Sequence, residues 1–177
     1  MGRNILKYGV IAGLVVGIAL FGISVAYGGQ PPPTYGMALG YLTMLIALSA
    51  VFVGIKRHRD VDRGGVIRFW PAFGLGLGIS LVASVFYVAA WEASMAVVDI
   101  DFAETFANAM IERQKAKGVD GAALAKVVAD MQTFKIQYAN PLYRVPMTFA
   151  EIFPVGVLVS LVSAALLRNP RLLPARG

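Results

Sequence analysis

Residues 140–167 read NPLYRVPMTFAEIFPVGVLVSLVSAALL. From Val145 onward this run is long and apolar enough to cross a hydrocarbon core, which takes about 20 residues of helix. A single carboxylate, Glu151, stands inside it, and Asn140-Pro141 marks a break just before it. Three further runs of the same kind, at 8–27, 35–55 and 69–91, precede this one at 145–167. The 177 residues are 58% hydrophobic and only 15% charged, with a mean hydropathy of +0.68. A soluble domain of this length cannot hide that much apolar surface. The expected fold is all-α: a four-helix transmembrane bundle forming one integral membrane domain over 1–177.

The segments between the spans differ sharply in charge. Residues 28–34 carry three prolines and no charge, whereas 56–68 hold Lys56, Arg57, Arg59, Arg63 and Arg68 against Asp60 and Asp62. Arg3, Lys7, this loop and the tail (Arg168, Arg171, Arg176) fall on one side of a four-span chain, ten basic residues against two acidic. By the positive-inside rule that side is cytoplasmic, with both termini on it, and the long 92–144 segment lies outside. The net charge of +6 is thereby topological, and nucleic acid is not expected as a partner. Contact with anionic membrane lipid headgroups comes with such a loop. The first run is not read as a cleaved signal despite Ser24-Val25-Ala26, because it is long for one and its removal would leave three spans.

Each span carries a stripe of small residues: Gly9, Gly13 and Gly17; then Gly36, Gly40, Thr43, Ala47, Ala50 and Gly54; then Ala72, Gly76, Ser80 and Ser84; then Gly156, Ser160 and Ser163. Lipid gives apolar side chains no reason to meet, so spans associate by close backbone approach along such stripes. Packing within one bundle is the simpler reading, and a homodimer through the first stripe is the sharper one. The long outer segment reads as an amphipathic helical hairpin over about 99–139. Asp101 with Glu104 has the form of a capping box, Phe102, Phe106 and Met110 share a face, Gly118 closes the first helix, and a second begins near Asp120.

Candidates for chemistry are few. There is no cysteine and one histidine, His58, with no second ligand beside it, so neither a metal nor any other cofactor is expected. Asp60 and Asp62 read as a solvated turn. Glu92 closes the third span. Glu151 lies about 9 Å inside the fourth, and a carboxylate at such a depth is by default a functional hypothesis. Arg144, Tyr143 and Tyr87 are the side chains expected to reach these two groups. Either Glu151 ties the third and fourth spans together by hydrogen bonds, or Glu92 and Glu151 line an outward-open polar cavity for a proton or cation. Pro154 reads as a kink in the fourth span and Pro146 as a first-turn proline. No nucleophile–base pairing and no phosphate-binding loop is present, so no enzymatic activity is expected.

The chain resembles a bacterial four-span membrane family, domain of unknown function 4199. Residues 52–60 (FVGIKRHRD), 64–69 (GGVIRF), 87–92, 140–144 (NPLYR) and 147–156 (MTFAEIFPVG) carry the likeness. The resemblance implies a multi-pass inner-membrane protein and brings no catalytic residue, substrate or cofactor. The expected role is a non-enzymatic scaffold or accessory subunit that binds lipid or a membrane protein partner. The alternative is a small transporter or proton-coupled carrier using Glu151 and Glu92.

Overall fold

A computed structural model describes residues 1–27, 36–98 and 101–174, so the Pro-rich turn, positions 99–100 of the outer segment and Arg176 lie outside the described residues. Six α-helices are present among them: α1 (Gly2–Ala26), α2 (Gly36–Arg57), α3 (Phe69–Val98), α4 (Phe102–Ala116), α5 (Gly121–Tyr138) and α6 (Pro141–Leu167). Helices α1, α2, α3 and α6 are each long and apolar enough to cross a membrane, and the chain is a multi-pass membrane protein. Most spans run past their apolar cores. Helix α1 starts at Gly2 rather than at 8, because the long stems of Arg3 and Lys7 continue a helix without carrying charge into apolar surroundings. Helix α6 starts at Pro141 rather than 145. Asn140 caps it by accepting from the Leu142 N–H at 3.0 Å, and Pro141 occupies the first turn, where its missing N–H costs nothing. Pro146 therefore lies inside the helix, not in its first turn, and α6 runs unbroken through both Pro146 and Pro154.

Helix α3 is the centre, packed most extensively against α1 on one side and α6 on another. The glycine stripes decide how close these helices come. A Cβ on Gly13 would sit 2.5 Å from Phe86 Cβ, and one on Gly9 2.6 Å from Val82 Cβ; Gly17 faces Ala90. The first stripe is thus consumed inside the chain, and a homodimer would have to use another surface. On the opposite face of α3, Gly76 lies under Ser160 and Gly156 under Ser80: a Cβ would fall 2.8 Å and 2.6 Å from the respective serine Cβ atoms. Ser80 Oγ donates to Gly156 O at 3.2 Å, and Ser160 Oγ donates to the same carbonyl at 2.7 Å. Gly40, expected on the packing face of α2, has nothing within 4 Å of a built Cβ and contributes no packing; Gly54 does, against Ile79 and Tyr8. Gly36 starts α2, and its surroundings lie outside the described residues.

The loop after α2 is not simply the solvated turn expected for Asp60 and Asp62. After α2 the backbone widens into a π-helical turn, His58–Asp62, in which the successive residues His58 and Arg59 are both buried. They serve two neighbours. His58 Nδ1 lies 2.6 Å from Asp62 Oδ2, and Asn4 Nδ2 of α1 donates to the same carboxylate at 2.8 Å. Arg59, 0% exposed, points to α6 and the segment after it. It donates from Nη1 to Leu172 O at 2.9 Å, from Nη2 to Leu173 O at 2.5 Å and from Nε to Asp60 Oδ1 at 2.6 Å. Asp60 also holds Lys56 Nζ at 2.5 Å. Asp60 and Asp62 are hence structural partners, not free turn residues. Gly64 and Gly65, at φ +62 and +88, supply the left-handed backbone that reverses the chain here. Through these contacts the start of α1, the π-turn and residues 167–173 meet at one end of the molecule.

At the other end α4 and α5 form the expected hairpin. Asp101 Oδ1 accepts from the Glu104 N–H at 2.9 Å, and Gly118 ends the first helix at φ +80. Phe102, Phe106, Phe134 and Tyr138 interleave between the two helices, with neighbouring ring centroids 5.2–5.7 Å apart. Trp91 at the top of α3 meets Phe102 edge-on at 5.1 Å. The hairpin is clamped by Lys135, which donates to Glu104. Hydrogen bonds from Lys135 and then Asn108 hold the Glu104 carboxyl below the ordinary glutamate range. Its folded pKa is depressed, so its contribution is present above the ordinary range and fades as pH falls through and below it. Amide protection factors in α4 and α5, exchange corrected for its intrinsic pH dependence, are therefore expected to fall on acidification in the wild type. Equal acid sensitivity in Glu104→Gln would show that this clamp is not the cause.

Candidate functional site

The polar groups that reach into the spans from the hairpin end form tiers along the α3/α6 seam. The upper tier is Glu92 with Arg144. Arg144 donates from Nε to Glu92 Oε1 at 2.7 Å and from Nη2 to Oε2 at 2.5 Å, a two-pronged pairing with geometric as well as electrostatic specificity. Its Nη1 donates to Tyr138 O at 3.3 Å, and its guanidinium carbon lies 5.8 Å from the Tyr138 ring centroid. Trp91 Nε1 donates to the Tyr138 hydroxyl at 2.8 Å. Burial pushes the Tyr138 phenol up to about 12, so the hydroxyl stays neutral and the hairpin root carries no extra anion.

The lower tier is Glu151. Because α6 begins at Pro141, Glu151 lies ten residues along it, about 15 Å from its start at 1.5 Å per residue. Glu92 is not its neighbour in height: it meets Arg144, seven residues earlier in α6. Tyr87, five residues further down α3 than Glu92, donates to Glu151 Oε2 at 3.3 Å. This is long for an O–H···O bond, whose usual length is about 2.7–2.8 Å. Glu151 itself flanks the buried Thr148 and Ile152 and is exposed in the isolated chain. The tie between the third and fourth spans exists, then, with Tyr87 as the donor. Arg144, also expected for Glu151, is committed to Glu92, and Tyr143 is 41% exposed and reaches neither carboxylate.

Beside the upper tier, four helix ends enclose a cavity of about 220 Å³. Met95, Ala103 and Tyr138 form its apolar wall, and Asp101, Lys135 and Arg144 its charged one. Glu92 and Glu151 are not among its lining residues, so this cavity is not the one expected between the two carboxylates. Among the described residues no three His, Asp or Glu side chains gather to hold a metal ion.

Two features of these sites had no sequence signal. The Trp91–Tyr138 bond joins residues 47 apart, and Arg59 was indistinguishable from the other cations of its loop. The Glu92–Arg144 pair is open to a direct test. A double-mutant cycle with Glu92→Gln and Arg144→Gln is expected to return a coupling of about 1–3 kcal/mol. A coupling near zero in thermal unfolding would reduce the pair to a surface contact.

Residues 7–169 match the family described as Protein of unknown function (DUF4199). No curated protein and no solved structure matches the chain.

Proposed function

We propose that this chain, which belongs to the DUF4199 family of proteins of unknown function, is a non-enzymatic scaffold or accessory subunit that engages membrane lipid or a membrane protein partner. The observation that carries the reading is the pairing of the charges at both ends. Arg144 and Glu92 satisfy each other above, Arg59 is closed on Asp60 and backbone carbonyls below, and the seam between them is filled by the Gly76–Ser160 and Ser80–Gly156 contacts. Such groups lock helices together. On the same reading the protein resides in a bacterial inner membrane, with the end that gathers the start of α1, the π-turn and residues 167–173 in the cytoplasm and the hairpin outside. Native mass spectrometry of protein released gently from its own membrane is expected to show a bound polypeptide or a retained lipid. A bare chain would overturn the reading.

One observation favours a second reading, a proton- or cation-coupled carrier: Glu151 is a deep carboxylate whose hydrogen bond is the single long one from Tyr87. In proteoliposomes a carrier shows a pH-linked flux that Glu151→Gln removes. A wild type without such flux sinks this alternative.

A further inference from the structure

The cavity at the root of the hairpin has an uneven distribution of unused hydrogen-bonding capacity. Arg144 has five N–H groups and spends three, on Glu92 and Tyr138 O; Lys135 has three and spends one, on Glu104. Both cations line the cavity and keep N–H groups in reserve. Asp101, which lines it too, uses Oδ1 for the Glu104 N–H, and its second oxygen has no partner among the described residues. The two cations already face Glu92 and Glu104, so with Asp101 the described charges sum to minus one. A simple anion would worsen that sum and a simple cation would waste the donors. A zwitterion, with an anionic acceptor at one end and an N–H cation at the other, matches both sides without adding net charge.

Size and position narrow the choice. At about 30 Å³ per water, 220 Å³ holds a group of about seven or eight heavy atoms, below the range of drug-sized pockets. The cavity is lined by residues near the end of α3 and the start of α6, the ends of two helices long and apolar enough to span a membrane. Val97, Ile136 and Leu142, each within two residues of a lining residue in sequence, are 69%, 76% and 85% exposed, as suits side chains that meet acyl chains.

We infer that this cavity binds a phosphoethanolamine group, its phosphate on Lys135 and Arg144 and its ammonium on Asp101. The inference deepens the lipid side of the accessory reading and rests on it. The test uses the full chain in nanodiscs made with equal parts phosphatidylethanolamine, phosphatidylcholine and phosphatidylglycerol, followed by native mass spectrometry. One phosphatidylethanolamine per chain is expected to be retained over both others, because choline has no N–H for Asp101 and phosphatidylglycerol adds a net charge. Asp101→Asn keeps the helix cap, since Asn caps as well as Asp, and is expected to cut the preference over phosphatidylcholine about tenfold, the scale of one charge-assisted contact. Lys135→Gln is expected to weaken retention of all three lipids. Soluble glycerophosphoethanolamine distinguishes the sources: binding to delipidated protein with the same Asp101→Asn sensitivity identifies a free ligand, and no binding identifies the membrane lipid. Equal retention of the ethanolamine and choline lipids, or an Asp101→Asn variant as selective as the wild type, overturns the assignment. A polypeptide retained without ethanolamine selectivity would leave the accessory reading standing, whereas a bare chain would remove both.

Discussion

Arg59→Met is expected to destabilise the folded protein by roughly 3–5 kcal/mol, the scale of breaking one side of a buried charge network. For a chain of this size that corresponds to a fall of about 10 °C in Tm. The side chain is 0% exposed and donates to Asp60, Leu172 O, Leu173 O and, at 3.5 Å, Leu167 O. The α6 end carries carbonyls that no helix turn can satisfy and the negative end of the helix dipole. Methionine fills the space of the Arg59 stem but leaves those carbonyls without a donor and Asp60 with Lys56 alone. The segment after α6 is held by the same bonds, so proteolysis within 168–174 should accelerate together with the loss of Tm. Arg59→Lys is informative because one ammonium cannot span two tail carbonyls and a carboxylate; it is expected to fall between the wild type and Met. An Arg59→Met variant that unfolds within about 0.5 kcal/mol of the wild type, the range of ordinary surface substitutions, would show the network to be dispensable.

The same residue marks where sequence reading stops. The positive-inside rule counts Arg59 with Lys56, Arg57, Arg63 and Arg68, and the count is correct about which residues cluster at one end. It carries nothing about which of them is buried. Burial here depends on the π-turn, which breaks the 3.6-residue period so that His58 can turn to α1 while Arg59 turns to α6. No composition or periodicity announces that turn. The apolar spans, by contrast, were legible because the hydrocarbon core sets their minimum length. The hairpin was legible because its cap, its aromatic face and Gly118 are local signals. Its seat on Trp91 is a long-range contact and was not.

At the α3/α6 site the residues were legible and their pairing was not. Glu92, Glu151, Arg144 and Tyr87 all lie on the α3/α6 seam, but sequence spacing was measured from Val145, whereas α6 begins at Pro141. Arg144 stands in the same helix seven residues before Glu151, about 10 Å along its axis, and its pairing with Glu92 puts Glu92 at that level while Glu151 meets Tyr87. The helix start, which Asn140 and Pro141 fix, puts Arg144 on the helix, and hydropathy alone does not see it.

Gly156→Ala is expected to cost about 1–3 kcal/mol, the range for forcing extra atoms into a packed interface. The new methyl would arrive 2.6 Å from Ser80 Cβ and 2.8 Å from its Oγ, and the backbone of α3 stands 3.7 Å behind. The helices must part, and they carry the Tyr87–Glu151 and Glu92–Arg144 contacts with them. Gly156→Ala should therefore weaken the measured Glu92–Arg144 coupling as well as the fold. The geometry also specifies the repair. Ser80→Gly removes the atoms that the new methyl strikes, so the double variant should regain most of the loss. It forfeits the Ser80 hydroxyl's contacts with Gly156 O and Ser160 Oγ, and such bonds average about 0.6 kcal/mol between membrane helices. Helix propensity cannot produce that pattern: Ala is the better helix former and Gly the poorer, so propensity alone would have Gly156→Ala stabilise and Ser80→Gly destabilise, additively. Gly40→Ala provides the control, since its Cβ meets nothing within 4 Å and the substitution should be neutral or stabilising. If Gly156→Ala and Gly40→Ala behave alike, or Ser80→Gly fails to rescue, then close approach of α3 and α6 is not what holds the seam together.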